Sequence, residues 1–173
     1  MKYWFTSDFH FGHFNIIRYC NRPFKSVEEM NEKMIANHNA RVKPEDTVFF
    51  LGDFCFKNSK GGKIGEGEQT HSQEYLNRMN GNFVFIRGNH DNNNSLRTCI
   101  KNLVIELGGE EIFLVHNPMD FNPNFDINIV GHVHEKWKIQ KRGNTILVNV
   151  GVDVWDFKPI DIQEILAEVQ KHL

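Results

Sequence analysis

The sequence YWFTSDFH, residues 3–10, joins an apolar run to a carboxylate and an imidazole. The apolar part, Tyr3 to Thr6, predicts a first β-strand. Alternate side chains of an extended chain point to the same side, so Asp8 and His10 are expected to leave the strand tip in one direction. One such pair carries little weight alone. Four more apolar runs downstream end in the same kind of residue, and this recurrence predicts both the fold and the site.

Apolar runs and turn signals predict βα units in the first half of the chain and hairpins in the second. Further strands are predicted at 47–51, 83–86, 104–107, 112–115, 127–130, 137–140 and 145–150. Helices are predicted from about 14 to 20, over 27–40 after an N-cap at Ser26, over 72–79, from Asn94 or Ser95 to about Leu103, and over 162–172 after an N-cap at Asp161. This order predicts two mixed β-sheets packed face to face with helices outside.

Composition places the chain among single-domain proteins, with one domain over residues 1–173. The 173 residues include 40% hydrophobic ones and carry a formal net charge of -2. This charge supplies no overall basic field for nucleic acid or an anionic membrane. No apolar run approaches the ~20 residues of a membrane-spanning helix, and the first residues lack a signal-peptide core. The scattered cysteines, Cys20, Cys55 and Cys99, predict reduced thiols in a cytoplasmic protein.

One segment, residues 57–70, is rich in Gly, Lys and Glu and has no periodicity. It predicts a loop, either a mobile one over a pocket or a solvated insertion with no role. The sequence leaves these alternatives open.

Polar side chains capable of binding metal recur just after the predicted strands: Asp8, His10, Asp53, Asn89, His90, His116, His132 and His134. Each alone has an ordinary explanation, as a turn, a cap or a surface histidine. These ordinary explanations do not account for the placement of all eight residues at strand ends. Binding sites in open α/β sheets form beyond the carboxyl ends of strands, so the placement indicates a site. Gly precedes Asp53, Asn89 and His132, as a sharp turn or a close backbone approach requires.

The donor set is oxygen and nitrogen without thiolate, which suits manganese, iron, zinc, nickel or cobalt. Seven of these residues are potential ligands. They are too many for one ion, since a catalytic zinc uses about three protein ligands. They suffice for two ions if one carboxylate bridges. Two ions clamp the attacking and leaving oxygens of an in-line displacement, and the natural substrate of such a clamp is a phosphoester.

Five motif blocks follow one another in residues 8–134: Asp8-x-His10, Gly52-Asp53, Gly88-Asn89-His90-Asp91, His116 and Gly131-His132-x-His134. Together they resemble the calcineurin-like metallophosphoesterase superfamily, in particular its small bacterial and phage members without a cap domain. The resemblance implies a four-layer α/β/β/α sandwich. It implies one metal on Asp8, His10, Asp53 and His134, and a second on Asp53, Asn89, His116 and His132, with Asp53 bridging. It also implies that His90 contacts the phosphate and protonates the leaving oxygen.

The predicted function is hydrolysis of small phosphodiesters or phosphomonoesters of nucleotide-like type, with manganese as the first candidate metal. A hydroxide bridging the two ions attacks phosphorus, and His90 acts as general acid. Asn89, His90 and His13 are the predicted substrate contacts, although His13 is equally well explained as a turn residue. Phe54 follows Gly52-Asp53 where Ser/Thr protein phosphatases continue Asp-Arg-Gly, and this departure argues against a protein phosphatase.

Two alternatives belong to other functional classes. A metal-dependent nuclease would need a basic groove, against which the near-neutral charge counts. A noncatalytic interaction module on the same fold can dispense with His90, whereas here every motif position is filled. The sequence does not reveal the physiological substrate, the preference for monoester or diester, the native metal or the oligomeric state.

Several nearby residues have competing explanations. Asp91 either restrains the proton of His90 or caps a following helix, and the cap is favoured. For Arg22 and Arg87, a structural salt bridge is favoured over a phosphate contact. For Trp137 and Trp155, a core or hairpin role is favoured over stacking on a base. Three histidines are expected to be surface residues: His38, His71 and His172.

Overall fold

The structure is a computed structural model that describes residues 1–56, 71–91 and 96–172. The strands in these ranges are β1 Tyr3–Thr6, β2 Thr47–Leu51, β3 Asn82–Ile86, β4 Asn102–Leu107, β5 Glu110–Val115, β6 Ile127–Val130, β7 Ile139–Arg142, β8 Thr145–Asn149 and β9 Ile160–Asp161. The α-helices are α1 Phe14–Tyr19, α2 Val27–Asn39, α3 Ser72–Leu76 and α4 Ile162–Gln170, and 3-10 turns span Pro118–Asp120 and Val152–Val154.

Two mixed sheets form the framework. The first has the order β3-β2-β1-β9, with β1, β2 and β3 parallel and β9 antiparallel to β1. The second has the order β4-β5-β6-β8-β7, with β5, β6 and β8 parallel and an antiparallel strand at each edge. The predicted α/β fold with two mixed sheets is therefore confirmed.

The main core lies between the two sheets. Phe5 and Leu51 from the first sheet meet Leu114, Ile129 and Val148 from the second, and all are essentially inaccessible to solvent. Helix α4 closes this core with the apolar side chains of its inner face, Ile162, Ile165 and Val169. Burial of such side chains contributes about 1.5–3 kcal/mol each, so this layer is the main reason that the two sheets stay together.

The outer faces of the sheets are covered differently. Helices α1, α2 and α3 pack on the four-stranded sheet around Phe9, Phe50 and Phe54. The five-stranded sheet is covered, in the described ranges, by the 3-10 turn 118–120 and its flanking loop, with Phe121 and Phe125 against Phe113 and Val115. Trp137 packs against the apolar cluster on this outer face, and Trp155 packs against the main core between the sheets. These contacts favour a structural role for both side chains.

The prediction of a helix that reaches Leu103 is wrong for the residues that the structure describes, 96–103. Its proposed caps, Asn94 and Ser95, lie outside the described residues, as does segment 57–70. Residues 96–101 contain no helix, and β4 begins at Asn102. Antiparallel pairing of β4 with β5 explains the error, since a complete partner strand outweighs the weak helical pattern of a short segment.

His38 is a second correction, because it is buried and not a surface residue. Its Nε2 lies 2.8 Å from the carbonyl oxygen of Asn80, and its ring stacks on Phe83 with centroids 5.6 Å apart. A neutral imidazole donates this hydrogen bond from within an apolar layer, and burial lowers the pKa of His38 to about 4. His71 and His172 are exposed, as expected.

Helix caps follow the sequence signals. Ser26 accepts a hydrogen bond from the backbone N–H of Glu29, and Asp161 accepts from Gln163 and Glu164 at the start of α4. No helix within the described ranges has the length and apolar character needed to cross a bilayer.

Asp46 is expected to control acid stability. Its buried carboxylate accepts hydrogen bonds from the backbone N–H of Lys2 at 2.7 Å, Trp4 Nε1 at 3.0 Å and the backbone N–H of Lys43 at 3.0 Å. Burial opposes ionisation, but these bonds lower the pKa of Asp46 to about 2. A pKa depressed by folding stabilises the native state above the unfolded value of about 4, and this stabilisation is lost as the pH falls towards 2.

Asp46→Asn should therefore lower the free energy of unfolding at pH 7 by about 1–3 kcal/mol, and the deficit should shrink between pH 4 and 2. Urea unfolding across this pH range measures the effect. Glu45→Gln removes an exposed neighbouring charge and serves as the control. A deficit that stays constant down to pH 2 would contradict the titration argument.

Candidate metal centre

The predicted ligands converge at one end of the sandwich. They follow β1, β2, β3, β5 and β6, and the carboxyl ends of these parallel strands in both sheets meet there. Ring centroids of His10 and His134 are 5.1 Å apart, and those of His116 and His132 are 5.2 Å apart. The structure thus brings together residues that lie more than a hundred positions apart in the chain.

The backbone at the ligands differs from the extended geometry expected for Asp8 and His10. Both are left-handed, with φ of 60° and 52°, and so are Asp53 at 58°, His132 at 70° and His134 at 50°. The two residues still contribute to one donor group, while Phe9 between them enters the aromatic core. Such non-glycine conformations cost on the order of 1–3 kcal/mol each and concentrate at functional sites.

The first donor group consists of Asp8, His10 and His134, whose donor atoms lie within 4.8 Å of one another. Asp8 Oδ2 accepts hydrogen bonds from Ser7 Oγ and from the backbone N–H of His132 at 2.9 Å. In the described part of the chain, Asp8 Oδ1 and both ring nitrogens of His10 are buried without a hydrogen-bond partner. Orphaned buried polar atoms are costly, and a cation would satisfy them, so these residues fit a metal ion.

The second donor group consists of Asp53, His116 and His132, again within 4.8 Å. Asn89 joins it, because its Oδ1 lies 3.0 Å from His116 Nε2 and 2.9 Å from His132 Nδ1. His116 Nδ1 lies 2.6 Å from the carbonyl oxygen of Leu51, so this nitrogen carries the proton and donates it. In the neutral form of the ring the lone pair is therefore on Nε2, which faces the group, as in many metal-binding histidines.

Asp53 lies between the two groups. Its Oδ2 is 3.6 Å from His10 Nε2 and 3.5 Å from His116 Nε2, while Oδ1 accepts the backbone N–H of His90 at 2.9 Å. One carboxylate oxygen, Oδ2, therefore faces both donor groups, while Oδ1 is occupied by the hydrogen bond from the His90 backbone. Asp53 is thus placed where it can contribute a donor atom to both groups.

Electrostatics at the centre favours positive charge. Burial opposes ionisation of Asp53, but the His116 hydrogen bond and the nearby imidazoles hold the pKa of that carboxyl well below its usual range. Against the effect of burial, Asp53 and Asp8 raise the pKa of His116 to about 9. Burial keeps the pKa of His10 well below its ordinary value, so this ring is neutral at pH 7 with its lone pair available.

Arg22 and Asp153 support the first group from behind. The buried guanidinium of Arg22 donates to the carbonyl oxygens of Asp8 at 2.7 Å and Phe9 at 2.9 Å, and forms a salt bridge of 2.7 Å with Asp153. Asp153 in turn lies 3.2 Å from His134 Nδ1 and, despite burial, raises the pKa of His134 to about 10. The structural explanation of Arg22 is thus supported.

Asp153 is a site residue that the sequence analysis missed. It follows the apolar run 145–150 through Gly151, which is the same strand, glycine and acid pattern seen elsewhere. Asp153 also forms a third compact group with Cys20 and His134. The Arg22 salt bridge already neutralises the carboxylate in this group, which disfavours a cation there.

The glycines before the ligands are required by close packing. Gly52 has φ of +90°, and a Cβ on it would lie 2.5 Å from both Gly88 Cα and His116 Nδ1. A Cβ on Gly88 would collide with Asp53 Oδ1, and one on Gly131 would lie 2.7 Å from Asp8 Oδ2. The close backbone approach expected at these positions is confirmed.

The remaining predicted residues line the centre. His90 is exposed, with its ring centroid 5.4 Å from that of His10. His13 is buried and stacks on Phe56 at 4.1 Å, and burial lowers the pKa of His13 to about 4, so it is uncharged at pH 7. Its contact with substrate remains a prediction.

Asp91 has a role that neither explanation anticipated. Its carboxylate accepts the backbone N–H groups of Gly88 at 2.7 Å, Asp53 at 3.0 Å and Phe54 at 3.3 Å. It therefore joins the loop after β3 to the loop after β2, and so fixes Asp53 beside Asn89.

Fold and donor groups together define a class: an α/β protein of two mixed sheets with a histidine–aspartate centre at the carboxyl ends of its strands. A profile of the Calcineurin-like phosphoesterase superfamily domain matches residues 1–171. The chain belongs to this superfamily.

Similar proteins from an archaeon, a phage and a bacterium align over most of the chain. An uncharacterized protein of Methanocaldococcus jannaschii is 40% identical over 177 positions, covering 98% of this chain and 92% of the relative. The Gene 66 protein of Mycobacterium phage L5 is 24% identical over 88% of this chain and 86% of its own length. A protein of unknown function from Aquifex aeolicus, AQ665, has a crystal structure with a TM-score of 0.68 and 26% identity, covering 95% of this chain and 97% of that one.

Asp153→Asn is expected to weaken metal binding at the first group only. The amide cannot hold His134 with a charged hydrogen bond, and loss of such an outer partner typically reduces metal affinity by about 10- to 100-fold. Titration of the metal-free protein with Mn²⁺ should then show one weakened and one retained site. Asp126→Asn, which neutralises an exposed carboxylate elsewhere, should bind as the unaltered protein does. Equal weakening of both sites would contradict a local role for Asp153.

Proposed function

We propose that this chain is a metal-dependent phosphoester hydrolase with a two-ion centre bridged by Asp53. The observation that carries the proposal is the position of Asp53 Oδ2, 3.6 Å from His10 Nε2 and 3.5 Å from His116 Nε2. A single ion would not require one oxygen to face two separate donor groups. Superfamily membership gives independent support.

The two ions would be held by overlapping ligand sets. Asp8, His10, Asp53 and His134 would hold one, and Asp53, Asn89, His116 and His132 would hold the other. Divalent cations in such a centre supply Lewis acidity toward phosphoryl oxygens and lower the pKa of bound water. Asn89 contributes a neutral oxygen, so Asp8 and Asp53 do not cancel the charge of two dications. The loaded centre is then positive and attracts a phosphoester.

His90 would act as the general acid. It is absent from both donor groups, yet its backbone N–H is bonded to Asp53 and its ring lies beside His10. Its exposed side chain can therefore reach a leaving oxygen without being a ligand.

The proposed substrates are small phosphodiesters or phosphomonoesters, with nucleotide-like diesters preferred. Asn89, His90 and His13 would contact the phosphate. Manganese is the proposed metal, because the oxygen and nitrogen donors suit it and no thiolate is needed. The odd number and scattered positions of the cysteines, Cys20, Cys55 and Cys99, support a reducing, cytoplasmic setting.

Metal-dependent hydrolysis of bis-p-nitrophenyl phosphate tests the proposal. Chelation should abolish release of p-nitrophenolate, and Mn²⁺ should restore it, because the proposed reaction depends on cations held by the two donor groups. A parallel digest of single-stranded DNA at several salt concentrations distinguishes a nuclease, whose binding weakens steeply with salt. A protein that binds two ions and hydrolyses none of a panel of mono-, di- and cyclic phosphoesters would favour the interaction module.

His90→Ala should lower kcat by about 10²- to 10⁴-fold, the usual contribution of a general acid. Metal content should stay near two ions per chain, since His90 is not a member of either donor group. Steady-state kinetics with elemental analysis measures both. His172→Ala removes an exposed imidazole on the last residues after α4 and should leave kcat unchanged. Full activity in His90→Ala would refute the assigned role.

A further inference from the structure

A polar cleft opens beside the second donor group. It encloses about 410 Å³ and is lined by Arg87, Gly88, Asn89, Lys101, Val115, His116, Asn117 and Asp120. Two of these residues, Asn89 and His116, belong to the second donor group, so a ligand in the cleft is adjacent to the centre. The volume lies in the lower part of the range for small-ligand sites.

Donor groups in the cleft have unused hydrogen-bonding capacity. Arg87 donates through Nε and one terminal nitrogen to the carbonyl oxygen of Thr98, which anchors the side chain and leaves Nη1 without an acceptor in the described residues. Lys101 is exposed and has no acidic partner within residues 1–56, 71–91 and 96–172. Asn117 accepts from the backbone N–H of Met119 through Oδ1, so its amide NH₂ remains available.

The charges favour an anion. The lining contains two cationic side chains, Arg87 and Lys101, and a single carboxylate, Asp120. Val115 is the one aliphatic side chain of the described lining, and the His116 imidazole is its one aromatic ring. A nucleobase seeks stacking surfaces, which are scarce here, whereas a phosphate group needs cationic and neutral donors.

We infer that this cleft binds a second phosphate of the substrate, next to the one that is hydrolysed. This inference rests on the proposed function. Arg87 is the rigid contact, because Thr98 fixes its orientation. Lys101 is the flexible contact and adds charge. The negative charge of Asp120 repels a phosphate and therefore limits how tightly the cleft can bind it. The preferred substrate class is thus a phosphodiester that carries an additional terminal phosphate.

Dithymidine dinucleotides test this inference with the Mn²⁺-loaded protein. Cleavage of the internal diester is followed by chromatography for TpT and for its derivatives with a 5′- or a 3′-terminal phosphate. One phosphorylated derivative should have a kcat/KM about 10-fold above that of TpT, because a charged hydrogen bond contributes about this factor. Lys101→Ala should reduce this preference several-fold, mainly through KM. Asp120→Asn should increase it.

Lys33→Ala is the matched control, since Lys33 is an exposed lysine of α2 on the opposite layer and should leave the preference unchanged. Equal kcat/KM for all three dinucleotides, or a preference that survives Lys101→Ala, would overturn the inference. The inference would also be overturned if the protein hydrolysed bis-p-nitrophenyl phosphate but cleaved no dinucleotide. The proposed function would stand in that case. Failure of the metal-loaded protein on every phosphoester would overturn the proposed function itself.

Discussion

One buried carboxylate organises this end of the molecule. Asp53 presents a single oxygen to imidazoles from both sheets, and its other oxygen is fixed by the backbone of the loop after β3. This arrangement requires glycine at 52 and at 88, because a Cβ at either position would occupy the space of His116 or of Asp53 itself. Asp91 then ties the two loops together. The same residues therefore determine both how closely the loops of the two sheets pack and where the donor atoms of the centre lie.

The centre is assembled against local conformational preference. Five of the candidate ligands adopt left-handed backbone angles that non-glycine residues seldom populate, and the surrounding structure must offset this cost. Arg22 does so at the first loop, since its buried guanidinium holds the carbonyl oxygens of Asp8 and Phe9 and is itself neutralised by Asp153. The apolar layer between the sheets supplies the stability that permits this strain. Pre-organised donor atoms are the result.

Strands were predictable from sequence where a local pattern coincided with tertiary pairing. The continuous apolar run of β2 and its terminal Gly52-Asp53 could be identified because burial on both faces leaves an unmistakable composition. Helical structure near residue 100 was predicted wrongly, since β4 is held by its partner β5 and has a weak pattern of its own. His38 and Asp153 show a deeper limit. Their environments depend on residues 42 and 131 positions away, at Asn80 and Arg22, which no local pattern encodes.

The two sides of the centre differ chemically, and this difference constrains how a substrate can lie. Beside the first donor group stand rings, with His13 stacked on Phe56 and the exposed Tyr19 ring 6.4 Å from His13. Beside the second lies the cleft with Arg87 and Lys101. Under the proposed function, a phosphodiester held over Asp53 meets an aromatic surface at one end and cations at the other. Under the same proposal, a symmetric pocket would bind either orientation equally, whereas this one would distinguish the two ester groups and so determine which bond faces His90.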